Sequence, residues 1–261
     1  SAYWRQVIYD DWDEQRLGFR IALTKRVFDD FTTISGGYLF EYVRVLDMTR
    51  HFGPIFQEAE GGEFVGKVFF SINRDTRDSA TDPTSGYFVG FDTYLASKAL
   101  GGSNNYYKLE FKAVNYYPFL HDWFVLTTGF KTGTLGMIGG GRVPIYDRYF
   151  LGGGDSIRGF PYRSIGPVDE DDHNFGGQFM YVFTAELSHP IYGPVRGAFF
   201  VDVGDVMEDR FGPLEAPNVG IGYGLRIKLP GVQTPIRLDL AYPIYCNQED
   251  VSRRPRFHFN M

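Results

Sequence analysis

Arg158 is the residue in this sequence whose surroundings point most directly to specific chemistry. It lies in the stretch 149–163, YFLGGGDSIRGFPYR, as a cation between Ile157 and the pair Gly159 and Phe160. A guanidinium makes forked, charge-assisted hydrogen bonds to carboxylates, and it needs such partners once it leaves water. Two carboxylates stand in a suitable register. In 178–188, Gln178, Thr184, Glu186 and Ser188 lie opposite Phe179, Tyr181, Phe183, Ala185 and Leu187. In 198–204, Ala198, Phe200, Asp202 and Gly204 lie opposite Phe199, Val201 and Val203. Glu186 and Asp202 therefore face the same way on consecutive strand-like segments. The spacing leaves two readings open: an ion pair with Arg158, or separate solvated charges. Other chemistry finds little support. His51, His121, His173, His189 and His258 are scattered without the spacing of metal ligands. No G-x-S-x-G elbow occurs, and GGGDS at 152–156 lacks the G-K-[ST] of a phosphate loop. GIGYG at 220–224 is not G-x-G-x-x-G and reads better as a glycine-lined strand face. The residues point to no enzyme, metal or cofactor.

The elements that must position Arg158 are strands. The chain has 261 residues, 18% aromatic and 43% hydrophobic, with 25 Phe, 18 Tyr and 32 Gly. That composition favours strands and turns over helices. No run of about 18 apolar residues is present, so no transmembrane helix is expected. A net charge of −6 with no basic run argues against nucleic acid as a partner. The single cysteine, Cys246, excludes an internal disulfide. The start, SAYWRQV, lacks the regions of a signal peptide, so a mature product, a fragment or a cytosolic chain is expected. Alternation with period two recurs along the sequence. Strands are expected at 3–10, 16–28, 36–47, 63–74, 86–96, 106–117, 123–133, 177–188, 195–205, 219–229, 235–245 and 256–261. Between them, 134–176 is expected to be one structured connection, anchored by Tyr149, Phe150, Leu151, Ile157, Phe160 and Tyr162.

A soluble sandwich and a membrane barrel both fit alternating strands, and three features favour the barrel. Arg20, Lys108, Glu110, Lys112, Arg226, Lys228 and Asp239 put charge in mid-strand on the polar face. Tyr106, Tyr107, Tyr116, Tyr117, Tyr242 and Tyr245 cluster near strand ends, as an interfacial girdle would. Connections also alternate long and short from residue 97 onward, although 75–85 breaks the pattern. The expected fold is therefore all-β: an antiparallel transmembrane β-barrel of about 12 strands across 1–261, with 134–176 directed into the lumen. The turns 189–194 and 230–234, and both chain ends, belong on the periplasmic side. The acidic run at 169–172 is expected to be solvated.

These residues resemble the family of BamA and its relatives, outer-membrane proteins that insert or export polypeptides. YFLGGGDSIRGF is similar to the family's lumen loop, with Ile157, Arg158, Gly159 and Phe160 at its V/I-R-G-F/Y motif. Phe200, Asp202 and Gly204 match the family's F-x-D-x-G strand motif, and Glu186 its glutamate on the preceding strand. Further matches are INRDTRD (72–78) with PTSG (83–86), GGQFMYVFTAEL (176–187), LRIKLPG to RLDLAYPI (225–244) and the closing RFHFNM (256–261). The resemblance implies that Arg158 contacts Glu186 and Asp202 inside the barrel. It implies a bacterial outer-membrane location and insertion of unfolded β-barrel clients at a gate between first and last strands. Phe257, Phe259 and Met261 would face lipid on that gate strand, with His258 and Asn260 facing inward. Outer-membrane lipid and periplasmic accessory lipoproteins are the other implied partners, and no cofactor is. A polypeptide exporter of the same superfamily, of the TamA or two-partner-secretion type, is the alternative. Family members usually have sixteen strands and periplasmic POTRA domains, and this sequence shows neither the extra strands nor POTRA segments. Either 3–10 pairs with 256–261, or other polypeptide fills the gap, since an open edge cannot face lipid.

Overall fold

A computed structural model of the chain describes residues 1–9, 12–46, 61–120, 123–169, 173–209, 217–229, 234–247 and 253–260. The strands are β1 (Ala2–Ile8), β2 (Asp13–Arg26), β3 (Thr32–Leu46), β4 (Gly61–Asp75), β5 (Gly86–Ala96), β6 (Tyr106–Phe119), β7 (Phe124–Met137), β8 (Phe179–Tyr192), β9 (Val195–Met207), β10 (Asn218–Ile227), β11 (Ile236–Tyr245) and β12 (Arg256–Asn260). They form one 12-stranded sheet in the order of the sequence, each antiparallel to the next. This is the expected all-β barrel wall. Short 3-10 turns at Lys98–Leu100 and Ile145–Asp147 are the helical pieces among the described residues. No helix there is long and apolar enough to cross a membrane.

Alternation sets the two faces. On β2, Leu17, Ile21 and Leu23 are exposed outward, while Glu14 on the opposite face is buried. Aromatic pairs such as Phe111 with Phe130 and Phe40 with Phe64 pack along neighbouring strands. The inner wall is polar: Glu41, Lys67, Asp202, Arg226 and Asp239 are all buried there. An apolar band outside and charge inside is the arrangement that hydrocarbon demands. The dry core is consequently not between two sheets. It lies between the inner wall and the long connection, where Leu135, Leu151, Ile157, Phe160, Ile165 and Met180 pack together.

Most boundaries shift by a few residues from those expected, and the largest shifts are at the start of β3, Thr32 rather than 36, and at the ends of β7 and β8. β7 runs on to Met137, so the connection begins at 138 rather than 134. Leu135 and Met137 alternate there with Thr134 and Gly136, and the pairing of Tyr106 with Met137 and of Phe179 with Thr134 extends the strand. β8 runs to Tyr192, through a proline that reads as a turn in the sequence. A register shift between Pro190 and Tyr192 absorbs it. The turn 193–194 and the connections 120–123 and 228–235 share one end of the barrel, and the long connection opens at the other. Among the described residues β1 pairs with β2 and β12 with β11, and the ladder between 3–10 and 256–261, one of the two alternatives, is not formed. Residues 170–172 of the acidic run, and Met261 of the expected gate strand, lie outside the described residues.

Candidate lumen site

The connection 138–178 folds back into the barrel and carries Arg158 to the inner wall of β8–β11. Its neighbours explain how. Ile157 and Phe160 are fully buried and act as apolar pegs on either side of the cation. Gly159 has φ of 95°, a conformation that favours glycine, and a side chain there would come within 3.1 Å of the Pro243 nitrogen. On the wall opposite, a Cβ at Gly220 would run into the Arg158 carbonyl oxygen, so the bare face of β10 is what admits the loop.

Arg158 meets both predicted carboxylates. Its Nε and Nη2 donate to Asp202 at 2.7 and 2.9 Å, and its backbone N–H adds a third bond at 3.1 Å. Nη1 donates to Glu186 at 2.9 Å. Asp202 is 0% exposed and Arg158 3% exposed, so the pair is dry. Phe200 takes a role the spacing did not give it: the guanidinium lies over its ring at 3.4 Å from the centroid. Gly204 stands under Ile157, where a Cβ would come within 3.1 Å of Ile157 Cδ1.

Three further charges complete the cluster. Asp239 lies 3.5 Å from Arg158 Nη1 and also accepts from Arg226 Nη1. Arg226 donates to Glu186 through Nε at 3.2 Å and Nη2 at 2.8 Å. Arg237 stands 3.8 Å from Glu186. Each carboxylate is thus matched by a guanidinium, which is what makes a buried cluster of this size tolerable. Alternation places Arg226, Arg237 and Asp239 on the polar face. It does not give the heights that bring them level with Glu186, because strand stagger sets those.

A second anchor holds the start of the connection and is absent from the sequence reading. Asp147 is 8% exposed and accepts from Lys67 Nζ at 3.1 Å and from the Tyr106 hydroxyl, with Arg16 Nη1 at 3.8 Å. Burial alone would raise the Asp147 pKa; Lys67 and Arg16 outweigh it and hold the carboxyl below the usual range. Arg16 also donates to Glu14 at 2.6 Å and to the Tyr146 carbonyl at 2.8 Å. Further along, the Arg163 guanidinium sits over Phe150 at 3.6 Å and over Tyr9 at 4.2 Å from the ring centroids. The connection is pinned to the wall on both sides. The one available signal was an aspartate, Asp147, inside an otherwise aromatic and basic run.

The last strand touches the loop directly. Gly159 donates its N–H to His258 Nε2 at 2.9 Å and accepts from Arg256 Nη1 at 2.7 Å. Asn260 faces inward beside Gly154, and Phe257 and Phe259 are exposed on the outer face.

Comparison with known proteins agrees with this architecture. Residues 1–261 match the model of the Omp85 superfamily domain. The chain is 26% identical over 269 residues to the outer membrane protein assembly factor BamA of Nitratidesulfovibrio vulgaris, covering 100% of this chain and 33% of that protein. It is 33% identical over 200 residues to the sorting and assembly machinery component 50 homolog of Xenopus tropicalis, covering 76% of this chain and 41% of that protein. The chain thus spans about a third of the BamA protein and less than half of the Xenopus one. In fold it is similar to the crystal structure of BamA from Haemophilus ducreyi lacking POTRA domains 1–3, with a TM-score of 0.80, 22% identity, and coverage of 95% of this chain and 54% of that one. A family match from the first residue to the last, on a wall of antiparallel strands with a loop seated inside it, means that this chain belongs to the Omp85 superfamily, as a BamA-like C-terminal barrel.

Proposed function

We propose that the protein inserts and folds β-barrel proteins in the bacterial outer membrane, with residues 1–261 acting as one barrel domain and β12 as one side of a lateral gate. The names of its relatives, an outer membrane assembly factor and a sorting and assembly machinery component, support assembly as the activity. One observation supports the gate: among the described residues β12 ladders with β11 alone, while its inward face touches the lumen loop. The N–H and C=O groups along an unpaired strand edge can template an incoming strand by β-augmentation. The lumen loop braces that strand from inside through His258 and Arg256. Unfolded outer-membrane proteins are the clients in this reading, periplasmic accessory lipoproteins supply them, and no covalent chemistry is needed.

The test is reconstitution of the full-length protein into bilayers, with a denatured barrel client added and its folding followed by heat-modifiable gel mobility. Wild type is expected to accelerate client folding, and Arg158→Ala to lose most of that acceleration. No acceleration by wild type would refute the assembly reading. Client protected inside vesicles without folding into the bilayer would favour the exporter.

A further inference from the structure

Below the loop tip, toward the end of the barrel that carries the short turns, lies a cavity of about 440 Å³. Its wall sets two like charges side by side. Lys112 on β6 and Lys131 on β7 are direct cross-strand partners, and both line this space. Several other inward lysines and arginines are matched by carboxylates: Lys108 on the same strand lies 3.5 Å from Glu110, Lys67 pairs with Asp147, and Arg226 with Glu186. Among the described residues neither Lys112 nor Lys131 has an ion pair. Like charges placed directly opposite each other destabilise a sheet. Arg196 and Arg237 also line the cavity, and Arg237 Nε is buried with no hydrogen-bond partner. Glu186 and Asp202 at its roof are committed to Arg158 and Arg226, and Asp82 at its floor to Lys228. Asp155 of the loop tip faces the space without pairing with either lysine among the described residues.

We propose that Lys112 and Lys131 form an oxyanion site in the lumen, open toward the short-turn end, that takes carboxylates of an acidic peptide segment or a phosphate. The ammonium groups supply rotatable donors on flexible stems, which suits an anion of variable geometry. A cavity of about 440 Å³ admits a few residues of extended chain but no folded domain. Thr127, Thr184 and Ser188 along the same wall add neutral hydrogen-bonding groups.

The experiment is calorimetric titration of the folded protein in an uncharged detergent with tetraglutamate, inorganic phosphate and tetraglutamine. Saturable binding of tetraglutamate, of phosphate or of both is expected, and which of them binds identifies the source of the oxyanion. Tetraglutamine should give no heat of binding. The double variant K112Q/K131Q should bind the anion at least about tenfold more weakly, a loss of about 1.4 kcal/mol. Its fold is checked by heat-modifiable mobility, and removal of the lysine repulsion should leave that unchanged or improved. Absence of saturable binding by either anion, or a folded double variant that binds as tightly as wild type, would overturn the proposal.

Discussion

Arg158 illustrates how a single buried charge is made tolerable. Asp202 takes both arms of its fork, Glu186 and Asp239 the remaining nitrogen, and Phe200 covers its face. Removing one member leaves the others unmatched in a dry site. Arg158→Ala should therefore lower stability by about 3–5 kcal/mol, read from the urea midpoint of the folded barrel. Arg158→Lys should recover less than half of that, since a point charge cannot reproduce the fork or the stacking on Phe200. Wild-type stability in the alanine variant would mean the cluster is wet. At this scale the sequence was informative but incomplete. Alternation was enough to put Glu186 and Asp202 on one face. It could not rank Asp239 and Arg226 among the partners, because the relative height of residues on distant strands depends on stagger around the barrel.

The connection 138–178 behaves as one element with two charged anchors of opposite sign. Asp147 docks on Lys67 and Tyr106 of β4 and β6, and Arg158 docks on the wall of β8–β11. Once one anchor is freed, the loop is less well placed to hold the other. Asp147→Asn alone should cost about 1–3 kcal/mol, because it weakens the charge-assisted bonds to Lys67. Combined with Arg158→Ala, the losses should be less than additive, with a coupling of about 0.5–3 kcal/mol. Strict additivity in urea unfolding would show that the anchors act independently. The same element shows what alternation cannot reveal. At 134–137 Leu135 and Met137 alternate with Thr134 and Gly136, but four residues are too few to mark a strand end until the partners on β6 and β8 are known. Pro190 read as a turn because the register shift that accommodates it, between Pro190 and Tyr192, leaves no mark in the sequence.

At the scale of the whole molecule, the bilayer explains the distribution of residue types. Outward Leu17, Phe199, Leu240 and Phe257 are exposed, while buried charge is gathered on the concave side. That inversion of the soluble pattern was legible from mid-strand charges and tyrosines at strand ends, and the twelve strands were legible with it. The charged cavity under the loop was not, since Lys112 and Lys131 become neighbours only through the β6–β7 register. Bracing of the barrel from inside requires the loop tip to rest against the last strand. A Cβ built on Gly154 lies 3.3 Å from Asn260 Cγ, within reach of a disulfide. The most direct measurement is therefore oxidation of a Gly154→Cys, Asn260→Cys variant, in a background where Cys246 and any other cysteine are serine, scored by gel mobility before and after reduction. Nearly complete bridging in the folded, membrane-inserted protein is the predicted result. Two thiols that stay free under the same oxidant would contradict it.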